Sequence, residues 1–140
     1  MMRADLVVKG ILFNRDFSKM LLLQRSSDDP TGPDTWEGVG GNMECGETPE
    51  DALKREISEE AGISAFTIQS VAYVTLINGA APYLIIAYRC AAQTEAVTLS
   101  REHQAFMWAD QADCRAMLPQ AIIDDFDKHG IWGLFRKRGG

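Results

Sequence analysis

The sequence predicts an α+β domain, with a mixed β-sheet between helices in an α/β/α sandwich and residues 1–140 forming a single domain. Three observations predict it. Segments of strand character and of helix character follow in the order strands, helix, strands, helices, which is not a regular βαβ repeat. Residues 48–61 carry both the start and the stop signals of one capped helix. A chain of 140 residues, 46% hydrophobic and 24% charged, suits one globular core and leaves little room for a second.

Ala4 to Asn14 is rich in Val, Ile, Leu and Phe and reads as a strand. Asn14-Arg15-Asp16 opens a turn and Lys19 to Arg25 reads as a second strand, so the two are expected to form a hairpin. Ser26 to Thr35, with two prolines, a glycine and three aspartates, is a loop. Trp36 to Met43 is glycine-rich, short and extended. Thr48 to Ala61 is a helix: Thr48 is the N-cap, Pro49 suits the first helical position, and Gly62 stands where a C-cap belongs. Glu50 with Lys54 and Asp51 with Arg55 are i,i+4 pairs in the favourable order. Phe66 to Asn78 and Pro82 to Ala92, joined by Gly79-Ala80-Ala81, form a longer hairpin. Gln104 to Ala109 is a further strand, and Gln111 to Leu118 and Gln120 to His129 are helical.

Charge and composition exclude several functions. Twenty Asp and Glu oppose fourteen Lys and Arg, a net charge of −6. A general grip on a nucleic-acid backbone wants a basic face, so nucleic acid is not an expected partner. An anionic substrate would need another source of attraction, and a bound divalent metal is the natural candidate. Met1 to Phe13 carries Arg3, Asp5 and Lys9 and lacks an apolar stretch of signal-peptide length. The longest apolar runs are strand-length, so no membrane partner is expected. Cys45, Cys90 and Cys114 are odd in number and far apart, which suits a reducing cytoplasm better than a disulfide framework or a zinc site.

The informative stretch is Gly41 to Ile63. In its helix Glu56, Glu59 and Glu60 are spaced i, i+3, i+4, so three carboxylates share one face within about 5–6 Å between Cβ atoms. They repel one another, and they occupy the last turn, where the helix dipole prefers cations. Such violations of local rules are expected at functional sites. A hard divalent cation with oxygen ligands answers both objections. Leu53, Ile57 and Ala61 form a neighbouring apolar stripe that can pack on the sheet while the carboxylates face a cleft. Arg55 can hold a carboxylate in a fixed rotamer through a bidentate contact.

The whole stretch reads G-x5-E-x7-R-E-U-x-E-E-x-G-U, with U a bulky aliphatic residue, at Gly41, Glu47, Arg55, Glu56, Ile57, Glu59, Glu60, Gly62 and Ile63. A chance match in a chain of this size is roughly one in ten million at average residue usage. The sequence thereby resembles the Nudix hydrolases over residues 41–63, and the order of strands and helices is compatible with that family's α/β/α sandwich. The resemblance implies hydrolysis of a nucleoside diphosphate linked to a group X, by water attack at phosphorus with Mg²⁺ or Mn²⁺. It implies that Glu56 and Glu60 are the principal metal-binding carboxylates and that Glu59 binds metal or orients the water. Arg55 organises these glutamates, Glu47 supports the site at the helix entrance, and the Gly40 carbonyl joins the metal shell. Glu44 fits the G-G-x-x-E-x-G-E run before the helix. One departure is visible: many members carry proline before the paired glycines, and here Val39 stands there.

Outside this stretch, Glu102 to Trp108 resembles an E-H-x-x-aromatic-x-W run of bacterial members that cleave pterin and deoxynucleoside triphosphates. Glu102 then completes the metal site or acts as base, or else is a solvated loop residue. His103 is read as a loop or capping residue rather than a base. Trp36, Tyr83, Phe106 and Trp108 could stack on a nucleobase or belong to the core. Arg25, ending the second strand, could meet phosphate or base or be plain surface, and Arg136, Lys137 and Arg138 read as a solvated tail. The reading favoured here is a metal-dependent pyrophosphohydrolase acting on a nucleoside-triphosphate-type small molecule. ADP-ribose, dinucleoside polyphosphates, nucleotide sugars and a non-catalytic nucleotide-sensing role stay open as alternatives. A homodimer is compatible with this reading and is not specified by it.

Overall fold

The computed structural model of the chain describes residues 3–137. The elements are β1 (Asp5–Phe13), β2 (Met20–Arg25), β3 (Trp36–Glu37), β4 (Val39–Asn42), α1 (Pro49–Ala61), β5 (Phe66–Ile77), β6 (Tyr83–Ala92), β7 (His103–Ala109), α2 (Gln111–Met117) and α3 (Gln120–Lys128). A short 3₁₀ turn, Ile131–Leu134, follows, which the sequence pattern does not announce.

The seven strands among the described residues join one mixed sheet. β1 runs parallel to β6 along its whole length and antiparallel to β4 from Val7 to Gly10. The β5–β6 hairpin forms as expected. The first hairpin does not form as expected. Its turn closes, with the Asn14 N–H donating to the Lys19 carbonyl at 2.9 Å, but β1 meets β2 only at Phe13 and Met20. The ladder of β2 is taken instead by β7 along Met20–Arg25 and by β3 at Leu23 and Gln24. The two strands part beyond their first pair, and that parting opens the sheet beside Lys9 and Glu37.

Alternation along β1 and β2 builds two cores, one on each face. Val8, Leu12, Leu21 and Leu23 pack with Leu53, Ile57 and Ala61 of α1. Ile11, Phe13, Met20 and Leu22 face the other way, against Cys114, Phe126, Ile131 and Trp132 from α2, α3 and the 3₁₀ turn. The sandwich is therefore α/β/α. Leu53 and Ile57 are fully buried, worth about 1.5–3 kcal/mol each, so the apolar stripe fixes the rotation of α1.

The termini of α1 follow from its sequence. The Thr48 hydroxyl accepts from the Asp51 N–H at 3.1 Å, and Gly62, at φ 66°, donates its N–H to the Ser58 carbonyl. Its last turn carries no basic residue. Arg55 is drawn away from Asp51 toward Glu44, Glu47, Glu56 and Glu59. At the C-terminus the Arg136 N–H donates to the Phe17 carbonyl, and its guanidinium lies 5.0 Å from the Phe17 ring centroid, so the tail is tethered while Arg136 and Lys137 stay exposed. Arg138 lies outside the described residues. Among the described residues no helix is long and apolar enough to cross a membrane.

Candidate active site

With its apolar stripe buried, α1 presents its acidic face to a cleft of about 810 Å³ between β1, β4 and the loop before β7. Gly40, Glu44, Arg55, Glu56, Glu59, Glu60 and Glu102 all line it, as do Arg25 and Tyr83. Of the charged residues singled out in the helix stretch, Glu47 stands behind the wall. It acts through Arg55: the Arg55 Nε donates to Glu47 Oε2 at 2.7 Å and Nη2 donates to Oε1 at 3.1 Å, a bidentate fork. Arg55 Nη1 then reaches Glu56 at 2.9 Å and Glu59 at 3.3 Å, and Nη2 also donates to the Asn42 carbonyl. One guanidinium thus sets two of the three acidic side chains, and the Arg55 hydrogen bonds and the Glu44 N–H hold the Glu47 carboxyl below its usual range.

The third acid is held differently. Glu60 is buried at 4% exposure, and its Oε1 accepts the Gly40 N–H at 2.8 Å. Burial pushes its carboxyl up to about 7 against the pull of that N–H, Lys9 and His103. Glu56 is raised as well: burial acts first, Arg55 opposes it, and the Glu59 and Glu102 charges add to it. Carboxylates held at such cost want a cation.

The backbone makes room for them. A Cβ on Gly41 would lie 2.5 Å from the Glu56 carboxyl carbon, so only glycine lets that side chain rest on β4. Gly40 has φ 144°, and a side chain there would overlap the Val8 carbonyl oxygen. The contact that Gly40 makes with the acids runs through its N–H; its carbonyl was the atom singled out in the sequence. Val39 in place of proline is fully buried in the core beneath α1.

Two further residues complete the floor, and sequence reasoning missed one and misplaced the other. Glu37, on the two-residue strand β3, sits between the cleft and a second, apolar cavity of about 400 Å³ lined by Ile11, Met20, Tyr73, Leu118, Ile122 and Phe126. Arg25 Nε donates to its Oε2 at 3.1 Å, and Lys9 Nζ lies 3.6 Å from Oε1. Burial pushes Glu37 upward, but the His103 hydrogen bond, Lys9 and Arg25 outweigh it and hold the carboxyl at about 2. The signal in the sequence was a lone acid in Trp-Glu-Gly-Val-Gly-Gly and a lone lysine inside the apolar β1. His103, expected in a loop, opens β7 and is buried at 5% exposure. The cause is a register slip between Gln24 and Arg25, which sets His103 rather than Gln104 opposite Arg25. Its Nε2 lies 2.9 Å from Glu37 Oε2 and 3.8 Å from Glu60 Oε2. One ligand atom from each of Glu37, Glu60 and His103 falls within 4.8 Å of the others.

The remaining candidates divide. Tyr83 is the one aromatic of the four that lines the cleft. Trp36 packs on one core and Trp108 on the other, where its Nε1 donates to the Glu95 carbonyl at 2.9 Å. Phe106 is 42% exposed and lines neither cavity. Arg25 is no free surface arginine: Glu37, Asp29 and Thr31 hold it, and it walls both cavities. Glu44 is exposed at the rim, 3.7 Å from Arg55. Glu102 is exposed but its backbone is fixed, its carbonyl accepting the Ser26 N–H at 3.0 Å.

Comparison with known proteins bears on the family and the fold. A family model of the NUDIX domain matches residues 5–126. The chain is 31% identical over 142 residues to the nucleoside triphosphatase NudI of Enterobacter sp. (strain 638), covering 93% of this chain and 99% of that protein. It is 39% identical over 54 residues to the oxidized purine nucleoside triphosphate hydrolase of Mus musculus, a match that spans 39% of this chain and 35% of that protein. Among solved structures, the MutT protein of Methanosarcina mazei Go1 superposes with a TM-score of 0.77 at 22% identity, over 95% of this chain and 99% of that one.

Proposed function

We propose that this chain, which belongs to the NUDIX domain family and is a pyrophosphohydrolase, hydrolyses nucleoside triphosphates or close analogues with the help of Mg²⁺ or Mn²⁺. The observation that carries the reading is the pair Glu56 and Glu60, one resting on Gly41 and the other accepting from Gly40, with Glu59 and Glu102 on the same cleft. The donor set is all oxygen, which fits a hard dication. Gly41 leaves room for the Glu56 carboxylate that a side chain would fill. When bound, the cation offsets phosphate charge and makes water a better nucleophile.

The chain's own residues supply the rest. Glu56 and Glu60 would hold the cation, Arg55 fixes the rotamers of Glu56 and Glu59, and Glu47 fixes Arg55. Glu59 or Glu102, both exposed on the cleft, takes the proton of the attacking water. The second cavity, lined mostly by apolar side chains with Lys9, Arg25 and Glu37 shared with the cleft, offers an apolar wall for a flat ring next to the carboxylates that govern the phosphates. The triphosphate reading draws on the named relatives, one a nucleoside triphosphatase across nearly its whole length and one acting on oxidized purine nucleoside triphosphates. The free thiols Cys45, Cys90 and Cys114 suit a reducing cytoplasm.

The test is hydrolysis of a panel of nucleoside triphosphates, ADP-ribose, dinucleoside polyphosphates and nucleotide sugars, reading the phosphate products with Mg²⁺, with Mn²⁺ and with EDTA. Turnover is expected on triphosphates and only with metal. Full turnover in EDTA overturns the metal-assisted mechanism, and turnover confined to nucleotide sugars overturns the substrate reading.

A further inference from the structure

We propose that His103 and Glu37 form a positioning pair that fixes the carboxylate of Glu60, so that a residue outside the acidic helix sets the affinity of the cleft for a divalent cation. The proposal rests on the reading of Glu60 as a metal ligand. It starts from a conflict. Glu37 and Glu60 are two carboxylates on a common floor, within 4.8 Å of each other and of His103. Like charges so close would push Glu60 out of the rotamer in which its Oε1 meets the Gly40 N–H. The group between them is the imidazole of His103, whose side chain is 2% exposed.

The hydrogen bonds fix which way the ring works. A carboxylate can only accept, so the ring hydrogen in the Glu37 contact belongs on Nε2; among the described residues the buried Nδ1 meets no partner. Nε2 donates to Glu37 Oε2 at 2.9 Å and stands 3.8 Å from Glu60 Oε2. A nitrogen carrying that hydrogen keeps no lone pair for a metal, so His103 orients rather than ligates. Glu37 in turn cannot drift, because Arg25 from β2 and Lys9 from β1 grip it. Three strands therefore converge on one N–H, and that N–H spaces Glu37 from Glu60. Partners that orient a metal ligand are commonly worth about 10–100-fold in affinity or activity.

The experiment compares the full chain with His103→Leu, which keeps bulk and removes the N–H, and His103→Gln, which keeps an N–H donor. Mn²⁺ affinity is read by EPR titration with MnCl₂ in the absence of nucleotide, beside kcat and KM on the best triphosphate. H103L is expected to weaken Mn²⁺ binding and lower kcat by about 10–100-fold each, with KM within about threefold, and H103Q to recover most of both. An H103L protein within about threefold of wild type on both quantities overturns the proposal. So does an H103Q protein as impaired as H103L, which would mark packing rather than the N–H. Nitrogen coupling from a directly bound imidazole in the pulsed EPR of wild type with Mn²⁺ overturns it too, by making His103 a ligand. Wild type that neither binds Mn²⁺ nor turns over removes the proposed function along with this inference. Wild type that does both while H103L is indifferent removes this inference alone.

Discussion

Replacing Glu60 by Gln separates what the site costs the fold from what it gives the reaction. The side chain keeps its shape and its Oε1, so the Gly40 N–H retains an acceptor. What disappears is a charge buried at 4% exposure. In metal-free protein, burial raises the Glu60 carboxyl from 4.5 to about 7. Between those values the folded chain keeps a proton that the unfolded chain has released. The stabilising contribution is fully present below about pH 4.5 and is lost as pH rises through about 7. A shift of that size corresponds to about 3 kcal/mol, from roughly 1.4 kcal/mol per pH unit. E60Q in EDTA should therefore match wild type near pH 4 and exceed it by up to about 3 kcal/mol at pH 8, read as the midpoint of urea unfolding. The same substitution should lower kcat at saturating Mg²⁺ by several hundred-fold, about the loss seen when a preorganised electrostatic group is removed. An E60Q protein no more stable than wild type at pH 8 would refute the burial argument. One that hydrolyses its best substrate within about threefold of wild type would remove Glu60 from the mechanism.

Other perturbations probe neighbouring parts of the same design. Leu53→Ala should cost about 2–4 kcal/mol in unfolding free energy, because Leu53 is fully buried beneath α1, with little change in kcat per folded molecule. Gly41→Ala places a methyl 2.5 Å from the Glu56 carboxyl carbon, so Mn²⁺ affinity by EPR should fall about tenfold or more, and unchanged affinity would show that Glu56 is not held there as a ligand. Arg55→Lys loses the fork to Glu47 while keeping the charge, and kcat should drop about 10–100-fold; full activity would mean that charge alone suffices. Adding MgCl₂ should raise the thermal midpoint of wild type and leave that of E60Q nearly unchanged, since a ligand stabilises only the state that binds it.

Much of the fold was legible in the sequence because its signals are local. Thr48, Pro49 and Gly62 bound α1 through hydrogen bonds within one turn, and Leu53, Ile57 and Ala61 dictate which side it buries. Once that stripe is committed to the sheet, Glu56, Glu59 and Glu60 have one cleft to face, so their shared face followed from helical geometry, while the roles given to them rest on the family resemblance. The two long strands of the second hairpin carried their own β-branched pattern and paired as read.

What the chain could not reveal one segment at a time depends on pairings between distant residues. Nothing in β1 or β2 announces that they part after Phe13 and Met20, because that is settled by β4 and β7 competing for their edges. Glu37 gains its meaning only when the parted sheet sets it against Lys9, Arg25 and His103, four residues from four strands. His103 turns inward because one extra residue in β7 is absorbed opposite Gln24 and Arg25, a choice of register that only the assembled sheet can make. The helix that holds the acids was thus written locally, while the floor that holds them in place was decided by strand order and register, since a side chain's face in a sheet is fixed by its partners as much as by its own sequence.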